Sequence, residues 1–180
     1  MATWNETSER FTHTTDKLGK AIDQGIFETV VALNMLNFCT TQSCEGHIDW
    51  GLAAPWIDVI PDGTQRLNKQ IQRIRQQAPI DEPLPDEAKH LIESVNHKQK
   101  LLFQLLVKLL DQFYGQRHVA YDQQLFPRIG GGGRIRLGSI GIEMQTIVEE
   151  DVKAQKLLAY QREMKDFTTF MKSLLADVRK

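Results

Sequence analysis

The chain predicts a mostly helical α+β protein: a small antiparallel sheet of about three strands with packed helices, and a long antiparallel helical hairpin attached to it. Three observations predict this. Apolar residues recur at steps of three and four over residues 86–115 and 143–178, as on one face of a helix. The period shortens to two around "FCTTQSCE" and "PWIDVI", as on a half-buried strand. Between the two patterns lies "APIDEPLPDE", whose Pro79, Pro83 and Pro85 cannot continue a helix and so redirect the chain.

From Ser8 onward Phe11, Leu18 and Ile22 fall at helical spacing, and Gly25 separates them from a clearer run, Ile26, Phe27, Val30, Val31, Leu33 and Leu36. Two helices follow from this, the second N-capped by the Asp23 carboxylate and ending near Asn37. In "FCTTQSCE" the alternation sends Cys39, Thr41 and Ser43 to one face and Thr40, Gln42 and Cys44 to the other. After the loop "GHIDWGLAA", "PWIDVI" is a second strand closed by the turn signal "PDG", so the pair forms a hairpin with a long loop.

"TQRLNKQIQRIRQQ" puts Leu67, Ile71 and Ile74 on one face and reads as a surface helix. Residues 86–114 form a long helix carrying Ile92, Val95, Leu102, Leu106, Leu109 and Phe113, stopped by Gly115. The part after Gly115 and before "RIGGGGRIRLGSIGIE" reads as irregular, and residues 134–139 as the third strand, preceded by four glycines that predict a mobile turn. In the last helix Leu157, Tyr160, Met164, Phe167, Met171, Leu174 and Val178 form a heptad seam, to be filled by the leucine-rich helix before it or by a second copy of the chain. The organisation expected is a single domain over residues 1–180. Its sheet-containing head comprises residues 1–78 and 118–141, and its hairpin residues 86–115 and 143–178.

Composition narrows the function classes. With 22 basic and 23 acidic residues the formal charge is −1, so no global field draws the protein onto nucleic acid or an anionic membrane. The N-terminus lacks the basic start and apolar core of a signal peptide, and no apolar run reaches the roughly eighteen residues of a membrane span. The expectation is a cytoplasmic protein with Cys39 and Cys44 as reduced thiols.

Cys44, Glu45, Gly46 and His47 form a Cys-x-x-His unit, a spacing at which thiolate and imidazole both reach one Zn²⁺ from a turn. That is half of a tetrahedral site, and the rest would have to come from Cys39, Asp49, His97 or His118. In a second reading Cys44 is a nucleophile with His118 or His47 as its base. In the third, Cys44 is a small half-buried residue, Gly46 makes the turn and His47 hydrogen-bonds the loop.

Arg134 and Arg136 share a strand face and could grip a phosphate or carboxylate. The neighbouring glycines are not a phosphate loop, because the lysine and hydroxyl residue are missing and a strand follows. Trp56 and Asp58 share a face of their own strand, so Asp58 can instead pair with Arg136 across the sheet. The sharper alternative is a polar cleft where Gln42, Cys44, His47, Trp56, Asp58, Arg134 and Arg136 converge.

Other clusters are ordinary surface or core. His90 and His97 read as solvated, Arg66, Lys69 and Arg73 as a basic helix face without aromatics, Glu149 to Asp151 as an acidic turn, and Met164 and Met171 as core.

"TTQSCEGH" followed by "PWIDV" resembles a Ser-Cys-x-Gly-His pattern of uncharacterised bacterial and phage proteins, matched here by Ser43, Cys44, Gly46 and His47. The resemblance implies a helix leading into the first strand of a small sheet, and it lends no function. A looser similarity is to the Ser-Ser-Cys-Ser-Gly stretch of wybutosine-synthesis tRNA methyltransferase domains, although nothing in the chain looks like a cofactor-binding methyltransferase core.

Two functions remain after this reading. The first is a cytoplasmic binding or assembly module that forms a homo-oligomer through its long helices. The second is a small enzyme or metal-dependent protein acting on an anionic ligand, with Cys44 and His47 at the centre, Gln42, Trp56 and Asp58 around it, and Arg134 and Arg136 holding the ligand. Neither cofactor nor metal is specified by the pattern.

Overall fold

The computed structural model describes residues 3–16, 19–79, 81–147 and 149–177, without the side chains of 144–147. Among them are five α-helices: α1 (Trp4–Thr12), α2 (Gln24–Met35), α3 (Thr64–Gln77), α4 (Asp86–Tyr114) and α5 (Glu150–Asp177). The strands are β1 (Cys39–Cys44), β2 (Trp56–Ile60), β3 (Leu125–Ile129) and β4 (Ile135–Ser139), joined in one antiparallel sheet of order β1-β2-β4-β3. The α+β class is as expected, and none of the helices described is long and apolar enough to cross a membrane.

Alternation divides the sheet into two faces. Ile57, Val59, Leu125, Ile135 and Leu137 pack with residues of α2, α4 and α5 in one core. The other face is read off the register: Cys44 lies opposite Trp56, Trp56 opposite Gly138 and Gly138 opposite Phe126. In the next row Gln42 lies opposite Asp58, Asp58 opposite Arg136 and Arg136 opposite Arg128.

The heptad seam is filled within the chain. Tyr160, Met164, Phe167 and Met171 are essentially inaccessible, and α5 lies chiefly along α2, where the Thr29 and Thr168 hydroxyls meet at 2.7 Å. Each such buried side chain contributes about 1.5–3 kcal/mol. The end of α4 joins the same core: the Phe113 ring lies edge-on to Phe167 at 5.2 Å, and Arg117 bridges Glu163 and Asp166. Val178 lies outside the described residues.

Four expectations are corrected. The sheet has a fourth strand, β3, which starts in the segment read as irregular; Pro127 lacks a ladder N–H and is tolerated because β3 is an edge strand. The first helix spans Trp4–Thr12 and not residues from Ser8 to Ile22, because Thr3 and Glu6 form a capping box that fixes its start. Leu18 lies outside the described residues. The glycine run is a packed turn: Gly133 is buried at φ 79°, a Cβ there would stand 2.8 Å from Thr64 and 2.9 Å from Val95, and Gln99 ties Gly130 to Arg134 through their carbonyls. Lastly, α5 starts at Glu150, after a 3₁₀ stretch over Ile140–Ile147.

Candidate functional site

The site forms where α2 begins and β1 ends. Asp23 occupies the N-cap position of α2 at φ −57° and ψ 138°, yet its side chain makes no capping bond. The Gly25 N–H is capped instead by Glu45, at 2.7 Å from Oε2. The Asp23 carboxylate is thereby free to turn toward the exit of β1. There it accepts from Lys20 Nζ at 2.9 Å and from the Glu45 N–H at 3.3 Å, and its Oδ2 faces His47 Nε2 at 3.5 Å. Burial raises the Asp23 carboxyl, but the Lys20 ammonium, the Glu45 N–H and His47 together hold it below the usual carboxylate range.

The turn after β1 aims the other two groups. Gly46 has φ +86°, and a Cβ there would lie 2.7 Å from both the Ala54 carbonyl carbon and Leu157 Cδ1, so only glycine fits. This conformation directs the Gly46 N–H onto Cys44 Sγ at 3.4 Å, and the His47 N–H closes the loop on Leu52 O at 3.1 Å. His47 stacks on Trp50 with ring centroids 3.9 Å apart, and Lys20 lies over the other partner of that stack, Trp50, at 4.4 Å.

The metal-capable atoms of Asp23, Cys44 and His47 all lie within 4.8 Å of one another. Around a tetrahedral Zn²⁺, with bonds of about 2.3 Å to sulfur and 2.0–2.1 Å to nitrogen and oxygen, neighbouring ligand atoms stand roughly 3.3–3.7 Å apart. The 3.5 Å from Asp23 to His47 is already of that size. His47 Nε2 is shut off from solvent and makes no regular hydrogen bond; the Asp23 carboxylate stands 3.5 Å from it, an electrostatic contact at the outer limit of hydrogen-bond length. A ring nitrogen in that condition, beside a carboxylate and a thiol, fits a metal ligand. As a nucleophile Cys44 is poorly set up: burial pushes its thiol up, and the Gly46 N–H only partly offsets this.

Beside the cluster opens a cleft of about 420 Å³, reached by Lys20, Gln42, Cys44, Trp50 and Trp56. A roomier hollow of about 500 Å³ at Trp4, Met35 and Leu175 is apolar, and its one cation, Lys172, is paired with Glu28 at 2.7 Å.

Of the residues singled out in the sequence, Gln42, Cys44 and Trp56 meet at the cleft and His47 adjoins it. Asp58, Arg134 and Arg136 share the sheet face but form an ion cluster of their own. Arg136 holds Asp58 in a bidentate pair at 2.8 and 2.9 Å and lies over the Trp56 ring at 3.8 Å, while Arg134 is 3.5 Å from the same carboxylate. Asp58 is wholly buried beneath them. The arginines therefore have an internal anion, as the cross-strand alternative foresaw.

Cys39, Asp49, His97 and His118, considered as further ligands or base, are exposed and outside the cluster. Asp23 supplies the third donor instead. Sequence reading missed it because an aspartate before a helix signals a cap, and it missed Lys20 and Trp50 because both reach the site from loops. No protein-family model, no curated protein and no solved structure matches the chain.

Proposed function

We propose that the protein is a metal-dependent binding protein, with a Zn²⁺-class ion held by Asp23, Cys44 and His47 and its remaining position turned toward the adjoining cleft. The observation that carries the reading is the buried, unbonded His47 Nε2 facing Asp23 beside Cys44. Mixed sulfur, nitrogen and oxygen donors suit Zn²⁺ better than the hard ions, which prefer oxygen alone. Three protein ligands with one position left over is the pattern of working rather than purely structural zinc sites. The aromatic walls at Trp50 and Trp56 and the Lys20 ammonium would then receive what the ion binds.

The test is Zn²⁺ titration of untagged protein against a chromophoric chelator, with elemental analysis of the purified chain. One ion per chain is expected, lost in Cys44→Ser and His47→Ala and kept in Cys39→Ser. Absence of binding at micromolar Zn²⁺, or a Cys44→Ser protein that binds as well as the parent, overturns the reading.

A second reading, self-association in a cytoplasmic setting, draws on Leu101 and Leu105, one turn apart on α4 and about half exposed. Since the α5 seam is filled internally, the dimer face would be this outer stripe of α4. A monomer at tens of micromolar by sedimentation would remove its support.

A further inference from the structure

We infer that the ligand of this cleft is an extended peptide segment that adds as a strand to the outer edge of β1. Besides Thr40 and Thr41, the cleft is lined by Gln42, Ser43 and Cys44 in succession, the regular stretch of β1. Successive strand residues point to opposite faces. A hollow touching all of them must therefore run along the edge of the strand, where the main chain itself is presented.

Among the described residues that edge has no strand partner. β1 ends the sheet order β1-β2-β4-β3, and no backbone hydrogen bond joins its outer side to another segment among the described residues. A row of free N–H and C=O groups in a cleft is complementary to the main chain of a peptide, whose side chains then fall alternately to the two sides. Both sides are provided for: Val30, of the helix-packed core, and Trp56, on the other face of the sheet, both line the cleft, as do Phe11 and Ile22.

The two edges of the sheet differ in a telling way. β3 is blunted by Pro127 and Arg128, the devices by which proteins keep strands from joining an edge. β1, "CTTQSC", has neither proline nor charge, and its one such device is a bulge-like irregularity. Its irregularity between Thr40 and Gln42 lies at the end away from the cluster, leaving the stretch next to Cys44 regular. Because β1 runs into Cys44 and the His47 turn, a strand laid along it brings a main-chain oxygen to the ion. That last step rests on the metal reading; the pairing itself does not.

The probe is a fluorescein-labelled peptide, acetyl-Lys-Leu-Thr-Leu-Thr-Lys amide, beside a version N-methylated at alternate amides, which keeps the side chains and removes the donors. Anisotropy is measured with and without Zn²⁺. The expected result is saturable binding of the parent peptide, weakened at least tenfold by N-methylation. Thr14→Trp, which adds bulk to the lining of the cleft outside the ion cluster, should weaken the peptide to a similar degree with Zn²⁺ affinity unchanged. Equal binding of the two peptides, or none at millimolar concentration, overturns the inference. In metal-free Cys44→Ser, binding that stays sensitive to N-methylation would keep strand addition when the metal reading fails. Zn²⁺ binding without peptide binding would do the reverse.

Discussion

The exchange of roles between Asp23 and Glu45 makes a prediction with two opposed halves. An aspartate at an N-cap ordinarily contributes about 0.5–2 kcal/mol, lost on substitution. Asp23 sits at that position but makes no capping bond, so Asp23→Asn should cost less than about 0.5 kcal/mol, mostly from its pair with the half-exposed Lys20. Glu45→Ala removes the carboxylate that holds the Gly25 amide at 2.7 Å, an exposed but charge-assisted bond at the positive end of α2. A loss of about 1–2 kcal/mol follows.

Metal affinity should move the other way. Outer partners of metal ligands typically change affinity about 10–100-fold, so loss of a ligand should cost roughly a hundredfold or more in Asp23→Asn. Glu45→Ala leaves all three donors in place and should stay within a few-fold. Urea denaturation in EDTA reads the first half, where a slope of about 2 kcal/mol/M turns the Glu45→Ala loss into a midpoint shift of roughly 0.5–1 M. Chelator competition reads the second. If Asp23→Asn destabilises like a lost cap while binding Zn²⁺ normally, the assignment of the two carboxylates is wrong.

Gly46→Ala should cost about 2–4 kcal/mol, since φ +86° disfavours a side chain and its Cβ would overlap Ala54 and Leu157; thermal denaturation checks this, and Zn²⁺ binding should fall with it. The Asp122 carboxyl is held below its usual range by Lys156, against burial and with help from Tyr160. A depressed folded pKa gives stability that is complete above the unfolded value, near 3.8, and is lost as pH falls through the lower folded one. Wild type and Asp122→Asn should therefore differ at pH 6 and draw together as the pH falls below 3.8, in acid titrations followed by circular dichroism. Asp58→Asn should cost about 2–3 kcal/mol in urea unfolding, less than a fully buried pair because the Arg136 side chain is 31% exposed. Phe167→Ala should cost about 3–5 kcal/mol in the same assay without changing the sedimentation of the native protein, because its seam is filled within the chain.

What was legible in the sequence was what local chemistry punctuates. Gly63 before α3 and Pro85 before α4 mark their starts, and the two-residue period of "WIDVI" gives β2; that of "TTQSC" locates β1, but the irregularity between Thr40 and Gln42 puts those two on opposite faces, against the alternation expected. The pairing of Asp58 with Arg136 followed from alternation alone. β3 was hidden because Pro127 is a sign against strands that holds only for central ones. Half of the site was visible for the same local reason: Cys44 and His47 are three residues apart on one turn. Asp23 was not, because capping and ligation call for the same residue type. What separates them is whether another group takes the helix amide, and Glu45 does so only once α2 has folded back on β1.

The arginines show how a charged pair can shape a site without entering it. Arg136 meets Asp58 with both arms of its guanidinium and the Trp56 ring with its flat face, a combination a lysine could not make. The pair stands one strand in from the edge, and Trp56 is the wall of the cleft nearest to it. Arg136 thus fixes one face of a ring that also lines the cleft. On the other side Trp50 is fixed by His47 and Lys20, residues of the cluster itself. One aromatic wall is thus tied to the sheet and the other to the site, so an ion that draws His47 and Asp23 together acts directly on Trp50 and leaves Trp56 where the sheet holds it.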